Sequence, residues 1–197
     1  ALRKAGVLGT ILILGYTPPR EVPLLRRWHL TQTVADEAHG RALAAQGGPV
    51  RFHLALDTGM HRLGFAPEDM PRLIERLKGQ NAVIPRSVFS HFVGSDAQQF
   101  DAFTRKQIET FEKASMLLQE AFPYKILRHI CNSAGIERFP GAQFDMVRLG
   151  IGLYGISPID NSIMHNVSTL KTTILQIRDV PEEDTVGYSR KGHLTRP

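Results

Sequence analysis

Short runs of Val, Ile and Leu alternate along this chain with longer amphipathic stretches, and that alternation dictates a sheet of parallel strands joined through helices. A short apolar run bounded by turn signals is a buried strand, and a strand that returns through a helix runs parallel to the one before. Residues 10–15, Thr-Ile-Leu-Ile-Leu-Gly, are the first such run, stopped by Tyr16-Thr-Pro-Pro. Runs at 30–34, 51–57, 87–92, 125–131 and 146–155 follow. Between them, 36–46 reads as a helix ended by Gly47-Gly48, and 67–79 carries helical spacing at Leu73, Ile74 and Leu77, with Pro67 suited to a first turn. The longest helical stretch is 100–122, with Phe103, Ile108, Phe111, Leu117 and Leu118 on or near one stripe. Periodicity fits an open doubly wound sheet and a closed barrel equally well.

After Pro158 the pattern changes. Residues 168–180 form a β-type run rich in Thr and Ile with no helix behind it, 181–184 are a polar turn, and 185–188 start another strand. The expected division is therefore an α/β domain over 1–157 and the beginning of an all-β domain over 158–197. The chain opens on Ala1 in what reads as the tail of a helix, and it ends at Thr195-Arg-Pro197 with no element closing the domain. Both ends are expected to be cuts in a longer protein.

Composition narrows the function. The chain is 42% apolar and 22% charged, an ordinary soluble balance. Its most apolar stretch near the start, 7–15, is too short to cross a bilayer and lacks the pattern of a signal peptide. Lys and Arg total 24 against 19 acids, a net charge of +5, able to steer phosphate-bearing ligands. No basic run is interleaved with aromatics, so nucleic acid is not an expected partner. One cysteine, Cys131, excludes an intrachain disulfide and fits a reducing cytoplasm.

Chemically loaded residues fall where strands end, which is where a parallel α/β barrel builds its sites. Asp57-Thr-Gly-Met-His-Arg62 follows one strand, Ser90-His91 ends another, Asn132-Ser133 follows a third, and Arg148-Leu-Gly-Ile151 lies in a fourth. Each alone has an ordinary reading: Arg62 a surface charge, His91 a hydrogen-bonded core histidine, Asn132-Ser133 a helix cap. Together at the same end of successive strands they read as a site. Ser133, with the backbone N–H groups near Gly150 and Ile151, forms a candidate phosphate cradle, because glycine lets the backbone approach closely and a hydroxyl adds a donor. Arg148 is a permanent cation that only donates, so a ring nitrogen facing it must stay unprotonated. The residues themselves reach as far as a phosphate-bearing ligand. A phosphate cradle beside an arginine on a heteroaromatic nitrogen points to pyridoxal 5′-phosphate, a choice that leans on a family resemblance.

The runs Asp57-Thr-Gly-Met-His-Arg-Leu-Gly-Phe65 and Val147-Arg-Leu-Gly-Ile-Gly-Leu-Tyr-Gly155 resemble those of alanine racemases. The likeness also covers Ile11-Leu-Ile-Leu-Gly15, Ser90-His-Phe92, Asn132-Ser133 and Val186-Gly-Tyr188. It implies a (β/α)8 barrel lacking its first strands, followed by the start of an all-β domain, and a homodimer that binds pyridoxal phosphate. By the same resemblance Arg148 faces the pyridine nitrogen and His91 hydrogen-bonds it. Asn132, Ser133, Gly150 and Ile151 line the phosphate, Leu14 packs near the cofactor, and Arg62 approaches the cofactor's ring hydroxyl and the substrate carboxylate. Tyr188 matches the catalytic tyrosine, which acts on one face of the substrate Cα in the partner subunit. The implied reaction interconverts L- and D-alanine by two-base proton transfer and supplies D-alanine for peptidoglycan. No metal is expected.

Two departures stand out. The family's Schiff-base lysine sits on the first barrel strand, and no lysine here lies in a matching motif, so the chain by itself is expected to be inactive. Many members carry a lysine, often carbamylated, two residues before the Asp of the first run, where this chain has Ala55. Activity is therefore expected to be insensitive to bicarbonate. Serine racemases of the same family are the nearest alternative, since their runs look similar to Leu-Ile-Leu-Gly-Tyr-Thr-Pro-Pro here. A non-catalytic pyridoxal-phosphate-binding barrel lacks a second domain, which the run after Pro158 and Tyr188 argue against. Decarboxylases of this fold type place a carboxylate, not an arginine, on the ring nitrogen.

Overall fold

The apolar runs pair in chain order. In the computed structural model, which describes residues 1–193, strands β1 (Ile11–Ile13), β2 (Leu30–Val34), β3 (Val50–Ala55), β4 (Val83–Phe89) and β5 (Leu127–His129) form one sheet in the order β1-β2-β3-β4-β5. Every adjacent pair is parallel. Order without reversal is the winding of a (β/α)8-type barrel, whereas a doubly wound sheet reverses at a switch point. The ambiguity that periodicity left open is thus resolved in favour of the barrel. Residues 194–197, part of the expected unclosed end, lie outside the described residues.

Side-chain alternation sorts the sheet into two faces. Val34, Phe52, Leu54 and Val88 are buried in the main core with Leu43, Met70, Leu77, Phe111 and Leu118 of the helices. Each such large apolar side chain contributes about 1.5–3 kcal/mol on burial. Helix α2 (Glu37–Ala44) starts where Asp36 accepts the His39 amide at 2.8 Å. Helix α3 (Met70–Lys78) buries Met70, Ile74 and Leu77, the i, i+4, i+7 stripe of an amphipathic helix. Helix α4 (Asp101–Glu120) buries Thr104, Gln107, Phe111, Ala114, Ser115 and Leu118. Its buried stripe therefore runs through Gln107, while Phe103 and Leu117, placed on the stripe by sequence, are exposed. Between β3 and β4 the register shifts, with Phe52 opposite Pro85 and His53 opposite Ser87, which leaves Arg86 as an extra residue. Pro85 has no N–H to pair, so a bulge there costs the ladder little.

Four expectations need correction. A short helix α1 (Val22–Arg27) follows the prolines at 18–19 where no helix was read. Strand β4 starts at Val83, earlier than the run at 87–92. Residues 146–155 are not a strand. The Asp145 and Arg148 amides reach the Arg128 and Cys131 carbonyls, but then Gly150 and Gly152 turn their amides onto the Ser133 hydroxyl and 151–154 wind into a 3-10 turn. Residues 170–180 pair with no strand among the described residues, and Leu170, Ile174, Leu175 and Ile177 lie exposed. A β-type run becomes a strand only beside a partner.

Two compact units emerge, Ala1–Asn166 and Val167–Pro197. The first holds the five-stranded sheet, with helix α5 (Ser133–Arg138) after β5. In the second, β6 (Thr185–Val186) pairs antiparallel with β7 (Gly192–His193). Among the described residues no helix is long and apolar enough to cross a membrane. Cys131 is fully buried, its thiol 3.2 Å from the Ala142 carbonyl and pushed up to about 11, first by desolvation.

Candidate active site

A cavity of about 610 Å3 opens at the C-terminal ends of the strands. It is lined by Leu14 beyond β1, Thr33 of β2, Ala55 to Asp57 at the end of β3, Ser90 to Val93 beyond β4, Asn132 to Ala134 beyond β5, and Arg148 to Ile151. Arg62 lines it as well. The structure thus brings together eight sequence-chosen residues: Leu14, Arg62, His91, Asn132, Ser133, Arg148, Gly150 and Ile151. Tyr188 lies in the second unit, fully exposed, between Gly187 at φ 83° and Ser189 at φ 57°.

Arg148 is the most constrained side chain of the site. Its Nη1 donates to His129 Nδ1 at 2.6 Å and to the His129 carbonyl at 3.3 Å. Nη2 donates to the Ser90 carbonyl at 2.6 Å, with His91 Nδ1 and the Ile130 carbonyl both at 3.2 Å. The guanidinium also sits 5.1 Å over the Phe89 ring, which stacks on His129 at 5.3 Å. Four of its five N–H groups are therefore engaged, and Nε–H is the donor left over. Desolvation lowers Arg148 to about 10, so it stays protonated at neutral pH.

That arrangement fixes two histidines. Arginine has no lone pair to offer, so both Nδ1 atoms must accept and both rings must be neutral with the proton on Nε2. The electrostatics agree. His91 is pushed down to about 4, first by desolvation and then by Arg148 and Arg62. His129 is lowered further, by desolvation, then Arg148, then His53.

The phosphate-type donors come from the start of α5 and the loop after Arg148. Asn132 caps the helix, its Oδ1 accepting the Gly135 amide at 2.9 Å and the Ser95 hydroxyl at 2.8 Å. The cap reading and the lining reading of Asn132 are thus both realised, and among the described residues its side-chain NH2 has no acceptor. Ser133 Oγ accepts the amides of Gly150 and Gly152, each at 3.1 Å. Its own proton is then available to a ligand. The Gly150 amide, expected to face the ligand, is engaged with Ser133 instead. Ile151 opens the 3-10 turn, where an N–H has no acceptor within the turn.

The loop from Asp57 to Phe65 is closed by its backbone. The Phe65 amide donates to the Ala55 carbonyl and the Asp57 amide to the Phe65 carbonyl, each at 2.9 Å. Gly64 takes φ 133°, and a Cβ there would lie 2.6 Å from the Asp57 nitrogen. Asp57 Oδ1 accepts the amides of Gly59 and His61 at 2.9 and 3.0 Å. Desolvation raises this carboxyl, but those amides outweigh it and hold it below its ordinary value. Thr58 shares a 2.7 Å hydrogen bond with Ser90. By contrast, the Arg62 side chain is exposed and has no hydrogen bond or ion pair among the described residues.

Sequence reasoning missed two residues. His129 was read only as part of a strand, although it stands opposite Phe89, two positions before His91, on the face that meets Arg148. Buried Gln107 donates to Thr58 Oγ1 and the His91 carbonyl and accepts the Val93 amide, tying two loops of the cavity together. Its one signal was a polar residue at a buried helical position.

Residues 1–158 match the family described as alanine racemase, N-terminal domain. Alanine racemase of Carboxydothermus hydrogenoformans is 37% identical over 196 residues, covering 95% of this chain and 53% of that protein. Serine/alanine racemase of Enterococcus gallinarum is 34% identical, covering 96% of this chain and 28% of that protein. Biosynthetic alanine racemase from Pseudomonas aeruginosa superposes with a TM-score of 0.80 at 29% identity, over 100% of this chain and 55% of that one. The chain spans about half the length of the curated alanine racemases it matches.

Proposed function

The chain belongs to the alanine racemase family, and from that membership we propose that the protein interconverts L- and D-alanine with pyridoxal 5′-phosphate held in the cavity beside Arg148. The carrying observation is that Arg148 lines the cavity with four N–H groups engaged and only Nε–H free. The free donors fit such a cofactor. They comprise the Ser133 hydroxyl proton, the Asn132 NH2 and the Ile151 N–H for the phosphate, and Arg148 Nε–H for the ring nitrogen. The cavity volume is also within the usual range of about 300–1,000 Å3 for a small-molecule site.

When bound, the cofactor would supply an electron-accepting ring that acidifies the Cα–H of an amino acid joined to it. Arg148 would leave the ring nitrogen unprotonated, because a guanidinium with a pKa of about 10 has no proton to give at neutral pH. His91 and His129 hold that guanidinium in one orientation through their Nδ1 atoms. Leu14 would pack beside the cofactor. Arg62 would bind the substrate carboxylate, and its side chain has no other partner among the described residues. Tyr188 would take or give the proton on one face of Cα, in the active site of a partner subunit in a homodimer. No lysine lines the cavity among the described residues. The amine that anchors the cofactor and works the other face is therefore proposed to come from elsewhere in the protein, and this chain alone to show no turnover. Supply of D-alanine for peptidoglycan, in the cytoplasm, is the role this activity would serve.

The test is reconstitution of the full-length protein with pyridoxal 5′-phosphate, followed by L-alanine and L-serine in a chiral assay. A cofactor absorption band, with D-alanine formed faster than D-serine, is expected. Absence of the band, or serine as the faster substrate, defeats the proposal. In the same assay added bicarbonate should change nothing, because Ala55 has no amine to carbamylate.

A further inference from the structure

The sheet carries a second cavity, about 560 Å3, at the opposite, N-terminal ends of its strands. Its wall holds Arg3, Arg51, Arg86 and Lys125, and no Asp or Glu. Two of these cations are already engaged. Arg3 donates to the carbonyls of Val7, Gly9, Trp28 and His29, and Lys125 pairs with Asp145 at 2.6 Å. Arg51 and Arg86 have neither a hydrogen bond nor an ion pair among the described residues.

Local structure sets both on the wall of one cavity. Arg51 alternates with Phe52, whose ring goes to the core. Arg86 is the extra residue of the β3–β4 bulge, and it lines the same cavity. Like charges on neighbouring strands repel when they come close, and among the described residues no ion pair neutralises either arginine. His53 also lines the cavity, at 1% exposure. Its Nδ1 hydrogen-bonds the Ser87 hydroxyl, and its Nε2 is buried with no partner. An unmet buried polar atom is costly, so native structures rarely keep one without a ligand or water to meet it. Two guanidinium forks without a partner among the described residues, lining one cavity, match the oxygens of a multivalent oxyanion.

We propose that the cavity at the N-terminal ends of β1–β5 binds a small phosphate-bearing anion, gripped by Arg51 and Arg86 with His53 in its inner wall. This site is separate from the Arg148 cavity, and its case rests on none of the residues assigned there. Bound anion would relieve the repulsion between the two arginines and tie β3 to β4 across the bulge.

The probe is inorganic pyrophosphate, titrated calorimetrically at low ionic strength into the full-length protein saturated with pyridoxal 5′-phosphate, so that the upper phosphate cradle is filled. One binding event per chain is expected, weakened at least tenfold in the Arg51→Met/Arg86→Met variant and unchanged in Arg20→Met. Should the double methionine variant not fold, Arg51→Lys and Arg86→Lys keep the charge but lose the fork, and each should weaken binding several-fold. No heat from the wild type, as when carboxylates from elsewhere in the protein fill the cavity, overturns the proposal, and so does equal affinity in the variants. Failure of pyridoxal phosphate to bind would defeat the reading of the upper cavity while leaving the Arg51 and Arg86 comparison intact.

Discussion

Two loops meet at the upper cavity, and each carries one arginine. In the loop at 147–155 the side chain is clamped: Arg148 meets five acceptors from Ser90, His91, His129 and Ile130. In the loop at 57–65 the backbone is clamped, by the Ala55–Phe65 and Asp57–Phe65 hydrogen bonds, while the Arg62 side chain has none among the described residues. The same residue type thus serves two purposes. A cation that must present one N–H to one atom has its other donors occupied, whereas a cation that must meet an incoming carboxylate needs a firm base and a free head.

Arg148→Ala should break that contrast most severely. It removes the donor proposed to face the ring and orphans acceptors on two chain segments, 90–91 and 129–130. Full-length protein should lose about 10²–10³-fold in kcat/KM, on the scale of deleting one preorganised donor. An urea melt should also show about 1–3 kcal/mol less stability, from the unmet acceptors. Activity within a few-fold of wild type would show that the clamp has no catalytic purpose.

Gly64→Ala attacks the other clamp. At φ 133° with a Cβ 2.6 Å from the Asp57 nitrogen, the loop must open, at a cost of about 2–4 kcal/mol in the same melt. An unchanged midpoint would mean that the closure at Phe65 is dispensable.

The smallest effect is graded by pH. His91 is neutral in the fold down to about 4, and His129 lower still, against ordinary values near 6.5. Between those pH values the unfolded chain binds more protons than the folded one, so stability falls as pH drops through that window and is level above it. The slope should shrink in His129→Asn. A wild-type stability that does not change from pH 7 to 4.5 would contradict the neutral-histidine clamp.

Much of this was legible because strands β1–β5 are short segments built around Val, Ile, Leu and Phe and bounded by turn residues, a pattern that needs no distant information. Strand-end residues were legible for a related reason. In a parallel sheet all strands end on one side, so His91, Asn132 and Arg148 converge whatever the helices do. What escaped depended on partners. The run at 146–155 has a strand's composition, but Ser133 captures its glycine amides, and a side chain from another segment leaves no trace in local periodicity. The run at 168–180 failed because pairing belongs to two segments and not to one. Gln107 was passed over because a helix stripe is read from its apolar members.

Cys131 gives the molecule an internal clock. It is the chain's one thiol, sealed under Phe139 and Ala142 and kept un-ionised by burial. A thiol reagent cannot reach it while the β5–α5 corner is closed, since the thiolate is the reacting form. The rate at which it is labelled is therefore the rate, or the population, of opening of that corner. Because Asn132, Ser133 and the Arg148 loop hang from the same corner, each labelled molecule is one in which the upper cavity had come apart.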